Sequence, residues 1–453
     1  MKYGIIIFLI TFFSLVIQAP FLFSKKSDEL MFIPFVFLLG VGTYIFLNKT
    51  SGKEDVTFQI NIFFVAFSLR LIVGIILYGW DLSSVFGDED ASGYIGGWVV
   101  AQNWYRNGLD GFLSDIYRVL IEDLNRGQSF IWGILMFIAG GPSRMIVSAI
   151  NSFAGSILVI VIYRLAKKLF DLQTAKVAAV LVAFWLSIML FSASTSKEIL
   201  VICLEWSILY LAIRNPKGLS KEDVFIVMPL MLVLYTLRFY ALYMCAAALL
   251  FRAIIANKKQ FARNSILGFI LVASLLAFIN ASGAISKDYE RIDRQNQSID
   301  AWRVNVATTT GSGTDVYSQY KGNPIIAIPV ATIYFIFAPF PWEVFVGTAR
   351  SRLAAVENII IIFLFAVGFP SIKTFFKQNF IQLLPILVFC VLYAGLHIWG
   401  FSNVGLAWRH RQTIMPLFFL LAALSLTKNF RKKITSNQVK RKFPPITNLN
   451  YRN

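Results

Sequence analysis

What most constrains this chain is the recurrence of long apolar runs. Each crossing of a bilayer's hydrocarbon needs about 20 mostly apolar residues. Runs of about that length read as helices near 3–19, 30–47, 58–79, 143–163, 177–194, 199–213, 224–237, 240–256, 265–284, 356–370, 379–397 and 412–427. Only 15% of the 453 residues are charged and 57% are hydrophobic, whereas a soluble domain carries about 25% charged residues. The pattern predicts an all-α polytopic membrane protein with about twelve transmembrane helices, and it excludes an ordinary soluble domain. The first run reads as a retained helix, because no small-residue cleavage site follows it and a second run begins within about ten residues. Two shorter stretches, 129–140 and 324–341, end in Gly-Gly-Pro and Pro-Phe-Pro. They read as re-entrant or interfacial segments.

Charge then sets the threading. The formal charge is +18, from 42 Lys and Arg against 24 Asp and Glu. With the N-terminus in the cytoplasm, the inner segments hold 24 basic residues against 5 acids, and the outer ones 17 against 18. That asymmetry is what membrane insertion requires. The excess is therefore an orientation signal and gives no support to a nucleic-acid partner. Residues 1–427 read as one transmembrane domain with outer loops at 80–142 and 285–323, and 428–453 as an unstructured basic tail beside anionic headgroups. Arg70 and Glu205 fall inside spans, where a lone charge is costly, so they are expected to pair across helices or face a cavity. Cys203, Cys245 and Cys390 lie in apolar runs and suggest neither a disulfide framework nor a zinc cluster.

A few outer residues stand apart as candidates for chemistry. Gly87-Asp88-Glu89-Asp90 follows the third helix. Three adjacent carboxylates repel one another, so at least one has a raised pKa unless a cation sits nearby. The cluster suits a general base or a divalent site for Mg or Mn, and it also reads as a solvated acidic turn. Lys197 and Glu198, in Ser-Thr-Ser-Lys-Glu, sit where one helix ends and the next begins; they could bind substrate or anchor the interface. Arg238 is the single charge between two apolar runs and can grip a phosphate bidentately or snorkel to headgroups.

Arg409, His410 and Arg411 put the basic residues of one outer loop into three consecutive positions. A phosphate or pyrophosphate ligand is the simplest reason, with interfacial arginines under an aromatic belt as the plainer reading. His410 between two arginines should titrate low and donate a hydrogen bond to the same ligand. Trp342 and Glu343, in Pro-Phe-Pro-Trp-Glu, read as a sugar-stacking platform or an interface anchor. No Walker loop, dinucleotide fingerprint or Ser-His-Asp order is present.

Together these residues resemble a known family. The acidic Gly87-Asp88-Glu89-Asp90 after an early helix, the amphipathic outer loop, the Ser152 to Ser156 pattern running into Tyr163-Arg164-Leu165-Ala166-Lys167-Lys168-Leu169-Phe170, and the late Pro-Phe-Pro-Trp-Glu and Arg-x-Arg segments are similar to bacterial members of the GT-C superfamily of membrane glycosyltransferases. The resemblance covers roughly 58–425, and the hairpin 1–50 is an addition to the family's simplest pattern.

It implies an inverting transferase in the bacterial inner membrane, with both termini cytoplasmic and its active site on the outer face. The enzyme would move a sugar from a polyprenyl-phosphate carrier to a glycan, lipid or protein acceptor, for cell-surface polysaccharide. Asp88 or Asp90 would be the base, and Arg409 and Arg411, with Lys197 and Arg238, would hold the lipid phosphate. Two other classes compete. A lipid-linked oligosaccharide polymerase or ligase would need the arginines but no acidic pair. A transporter or flippase should place its charges near the midplane between repeated halves.

Overall fold

The computed structural model describes residues 3–23, 27–83, 91–122, 126–215, 219–255, 266, 324–345, 349–401 and 403–442. They form sixteen α-helices and short 3-10 and π turns, with no β-strand among the described residues. In chain order the helices are α1 (Tyr3–Leu22), α2 (Phe32–Thr50), α3 (Val56–Gly79), α4 (Ala91–Tyr117), α5 (Gly127–Ala139), α6 (Arg144–Leu169), α7 (Leu172–Ala183) and α8 (Leu186–Ala193). Then come α9 (Glu198–Arg214), α10 (Lys221–Leu237), α11 (Phe239–Ile255), α12 (Pro324–Phe337), α13 (Ala349–Gly368), α14 (Ile372–Trp399), α15 (Val404–Arg411) and α16 (Met415–Lys442).

The sequence predicts about twelve spans. Six segments among the described residues are long and apolar enough to cross a membrane, or seven if the bent pair α7–α8 counts as one. This makes the chain a multi-pass membrane protein. The expected spans at 199–213, 224–237 and 240–256 are helices of 17 residues each, about 25 Å at 1.5 Å per residue. The expected span at 265–284 lies outside the described residues, apart from Ile266.

The expected span at 177–194 is broken. α7 and α8 meet at 55° around Phe184 and Trp185, although no proline or glycine lies between 172 and 193. Arg70 of α3 holds the junction. Its guanidinium donates to Val182 O (3.3 Å) and Ala183 O (3.1 Å), the last carbonyls of α7, and to Ser192 Oγ of α8 (3.2 Å). A buried cation thus caps a helix C-terminus, where carbonyls lack partners and the dipole favours positive charge. Arg70 is fully buried and does not face lipid, and its partners are backbone carbonyls and the Ser192 hydroxyl. Gly155, in the Ser152–Ser156 pattern, leaves room for this packing: a Cβ there would sit 2.9 Å from Arg70 Nε.

The segment 80–142, read from sequence as a loop, is largely helical. Gly108, at φ 55°, divides α4 into two arms. Asn103 Nδ2 and Trp104 Nε1 both reach Asp115 Oδ2 at 2.9 Å, which residues about 18 Å apart in a straight helix could not do. The first arm packs closely on α5. A Cβ at Gly97 would lie 2.6 Å from Trp132 Cβ, and one at Gly133 would lie 2.6 Å from Val100 Cγ1. Small residues let the two backbones approach. The 13-residue α5 ends at Gly140 in the left-handed region, at φ 81°.

The tail also departs from its reading. α16 runs unbroken to Lys442, because no Gly or Pro interrupts the chain from 417 until Pro444-Pro445. The three cysteines are buried and unbridged.

The loops sort to two ends of the bundle. At one end Arg164 donates to Gln59 Oε1 and Thr50 Oγ1, Lys167 pairs with Asp55, and Arg252 donates to Ala212 O and Asn215 O. At the other, Glu29 accepts from Ser143 Oγ (2.9 Å) and Met145 N (2.8 Å) at the start of α6. There too Tyr78 Oη accepts from Thr195 N (2.9 Å), and Asn151 Nδ2 donates to Ser194 O and Ser196 O. The second end carries the candidate residues.

A candidate phosphate-binding site at converging helix ends

Three helix termini meet at that end. Glu198 is the first residue of α9, where the helix dipole favours a carboxylate. Arg238 is the C-cap of α10, and Arg409, His410 and Arg411 form the last turn of α15, positions that favour cations. Asn403 starts α15 by accepting from Gly405 N (2.6 Å) and Leu406 N (3.1 Å). α14 supplies a polar face between them.

Arg238 Nη2 donates to both Glu198 oxygens, at 2.7 and 2.6 Å, and the two residues are 5% and 1% exposed. Arg409 Nη1 lies 3.7 Å from Glu198 Oε1. Arg238 Nη1 donates to Tyr393 Oη (2.9 Å), which lies 3.1 Å from His410 Nδ1. The His397 and His410 rings lie 4.0 Å apart, and the guanidinium of Arg238 also sits over Tyr240 at 5.7 Å. Lys197, half-buried at the N-cap of α9, adds charge close enough to act on His410.

The electrostatics follow from burial. Burial opposes the charge of Arg238, but the Glu198 carboxylate outweighs it and holds the guanidinium well above its usual range. Burial brings Arg409 down to about 10, which still leaves it charged at neutral pH. His410 falls well below the ordinary imidazole value, first through burial and then through His397, Arg238, Arg409 and Lys197. It is neutral at pH 7. Arg238 and Arg409 thus share the Glu198 carboxylate in a buried corner, with Lys197 near His410. An anion with several oxygens is what such a corner would accept.

The sequence candidates divide by location. The structure brings together Lys197, Glu198, Arg238, Arg409 and His410. Glu198 has both oxygens committed to Arg238, so it orients the cation and is not itself placed as a ligand.

Arg411 is directed elsewhere. Its Nη1 donates to Ile336 O (2.6 Å) and Ala338 O (3.0 Å), holding the end of α12, so its charge is applied to backbone carbonyls. Trp342 is 69% exposed and stacks on Phe340 at 4.8 Å and 7°, in a separate turn. Glu343 belongs to that turn, but its side chain lies outside the described residues. Asp88, Glu89 and Asp90 also lie outside them. Their described flanks are held at the same end of the bundle: Arg144 donates to Ser83 Oγ (3.5 Å) and sits over the Tyr78 and Tyr94 rings at 5.9 and 5.0 Å. Tyr78 is the residue that binds Thr195, three positions before Glu198.

Comparison with known proteins adds little to this geometry. No family model and no curated protein matches the chain. Among solved structures, the archaeal oligosaccharyltransferase AglB from Archaeoglobus fulgidus, in complex with an inhibitory peptide and a dolichol-phosphate, overlays at a TM-score of 0.41 and 16% identity. The overlay covers 71% of this chain and 44% of that one, so the chain spans less than half of that enzyme's length. The overlap is too loose to carry a function, and the functional reading rests on the site.

Three residues, two in the corner and one beside α15, lie outside the sequence reading. Tyr393 and His397 lie four apart on one face of an otherwise apolar span, a polar pair that period alone could have marked. Glu357 is the third. It is fully buried in α13, where it accepts from Ser187 Oγ, Ser187 N (3.3 Å) and Trp408 Nε1 (3.2 Å) and thereby ties α13 to α8 and α15. Nothing in its local sequence distinguishes it. No group of three His, Cys, Asp or Glu that could hold a metal occurs among the described residues.

Proposed function

We propose that the protein is a membrane glycosyltransferase that moves a sugar from a polyprenyl-phosphate carrier to a glycan, lipid or protein acceptor at the outer face of the membrane. One observation carries this reading: the corner where α9 begins and α10 and α15 end gathers Lys197, Arg238 and Arg409 around His410, with Arg238 and Arg409 both reaching Glu198. Fixed cations stabilise charge growing on a departing phosphate and need no reorganisation during the reaction. Asp88 or Asp90 is assigned as the base that deprotonates the acceptor hydroxyl as it attacks. By inversion, the acceptor oxygen bonds to the anomeric carbon from the face opposite the phosphate, and the C–O bond to the phosphate breaks. The lipid phosphate departs with the bonding electrons. The orientation that puts this end outside is the one that leaves the basic loops, including 164–176 and the α16 extension, in the cytoplasm.

The deciding experiment replaces Asp88 and Asp90 by Asn, singly, and measures sugar transfer from synthetic polyprenyl-phosphate sugars in proteoliposomes. Loss of about 10²–10⁴ in rate from one of the two is expected for removal of a general base. Full activity in both variants sinks the mechanism. Activity lost only when Arg238 or Arg409 is replaced would favour a polymerase or ligase that grips phosphate without an acidic base. Unchanged rates after chelation would argue against Mg or Mn at the acidic motif.

A further inference from the structure

The corner links two histidines, a tyrosine and an arginine through hydrogen bonds and ring contacts. Tyr393 Oη accepts from Arg238 Nη1 at 2.9 Å, which leaves its own hydrogen for one of two neighbours, His410 Nδ1 at 3.1 Å or the Tyr240 hydroxyl. His397 is ordered in the same way. Its Nδ1 lies 2.8 Å from Tyr393 O, a carbonyl that can only accept, so Nδ1 carries the hydrogen and Nε2 faces the Tyr240 hydroxyl at 3.4 Å. The His397 ring stacks on the Tyr393 ring at 4.4 Å and lies 4.0 Å from that of His410. A proton added to His410 would face Arg238, Arg409 and Lys197.

Resting on the phosphate-binding reading above, we infer that Tyr393 is a positioning residue. Its hydroxyl, held by Arg238, donates to His410 Nδ1 and so fixes His410 as the neutral Nε2–H tautomer, a hydrogen-bond donor for the carrier's phosphate. The physical advantage is specific. A fourth cation would strengthen phosphate binding but would repel Arg238, Arg409 and Lys197, the charges that already act on His410. A neutral donor avoids that repulsion and still offers the phosphate an N–H. Tyr393 does this from α14, so the donor's direction depends on the docking of α14 against the end of α15. The groups facing His410 are Tyr393 and His397 of α14, Arg238 at the end of α10, Lys197 and Glu198 at the start of α9, and Arg409 on its own helix.

The test uses the full-length protein in nanodiscs, with a polyprenyl monophosphate as probe, titrated between pH 6 and 9. Tyr393→Phe keeps the ring and its stacking but removes the hydroxyl, and phosphate binding should weaken about tenfold. The ¹⁵N spectrum of labelled histidine should change from a single Nε2–H form of His410 to a tautomer mixture. His410→Gln, whose side-chain amide places an N–H near the Nε2 position, should bind within about threefold of wild type. His410→Asn, whose amide ends near the Nδ1 position, should be as weak as Tyr393→Phe. The inference is overturned if Tyr393→Phe binds phosphate as wild type across the pH range, or if Gln and Asn at 410 are equally weak. Arg409→Gln separates the two levels. If it too binds as wild type, the phosphate-binding reading itself has failed; if it is weakened while Tyr393→Phe is not, only the role of Tyr393 has failed.

Discussion

Glu198→Gln is the most informative single change. It preserves shape but leaves Arg238, 5% exposed, without the carboxylate that both of its short Nη2 contacts reach, and it removes the partner 3.7 Å from Arg409. Breaking a buried ion pair from one side costs about 3–5 kcal/mol, because the remaining charge stays desolvated. Replacing both members by groups of similar shape costs far less. The double variant Glu198→Gln with Arg238→Met should therefore be more stable than the sum of its single variants by about 2–3 kcal/mol.

The assay is reversible unfolding of the purified protein in mixed micelles, run as a double-mutant cycle with and without a polyprenyl monophosphate. Phosphate should protect Glu198→Gln more than wild type, since the ligand then supplies the missing negative charge. Saturation at about 100-fold over the dissociation constant returns about 2.7 kcal/mol. Strict additivity in the cycle, or equal protection of the two proteins, would refute the view that Glu198 holds Arg238 and Arg409 in place for an anion.

Three further outcomes follow from the packing. Arg70→Met should cost about 2–6 kcal/mol, from leaving the carbonyls of Val182 and Ala183 without donors at about 1–3 kcal/mol each; thermal unfolding that matches wild type would exclude the capping role. Gly97→Val should separate α4 from α5, since its Cβ would meet Trp132 Cβ at 2.6 Å, at about 1–3 kcal/mol for overpacking, and should speed proteolysis of 91–139; wild-type protection would count against the close approach. His410 has a folded pKa well below its ordinary value, so the unfolded chain binds the proton more readily. Its contribution to stability is full above about pH 6.5 and is lost as the pH falls below that. His410→Gln should flatten that slope in unfolding scans between pH 5 and 8, and an unaltered slope would point to another group.

How much of this was legible in the sequence depends on the kind of information. Apolar periodicity gave the helices, and the positions of Lys197, Arg238, Arg409 and His410 outside the apolar runs marked them as one class, because charge near a membrane is costly and so is informative. What periodicity carries poorly is direction. Arg409 and Arg411 are two apart on a helix, hence on different faces, and one reaches Glu198 while the other caps α12; Arg-x-Arg reads as a pair only until it is wound into a helix. Span counting is limited for a related reason. Hydropathy cannot tell a 17-residue helix ending in a charged site from one that continues through the bilayer. The loop 80–142 was underread because its Gly-rich surface, Gly93, Gly96 and Gly97, looks like a breaker until a partner helix is there to use the space.

The bend between α7 and α8 has a consequence for assembly. Bends written into a helix by proline travel with the segment, whereas this one depends on a side chain from α3, with Gly155 of α6 making room for it. Residues 172–193 should therefore enter the bilayer as one continuous helix, and a peptide of that sequence in lipid should give the orientation-dependent spectra of a straight rod. The bend then arises when the segment docks on its neighbours, in the second of the two stages by which membrane helices insert and associate. Arg70 in this sense registers completed assembly: the turn that leads through Ser194 to Glu198 takes its final direction only after the surrounding helices are in place.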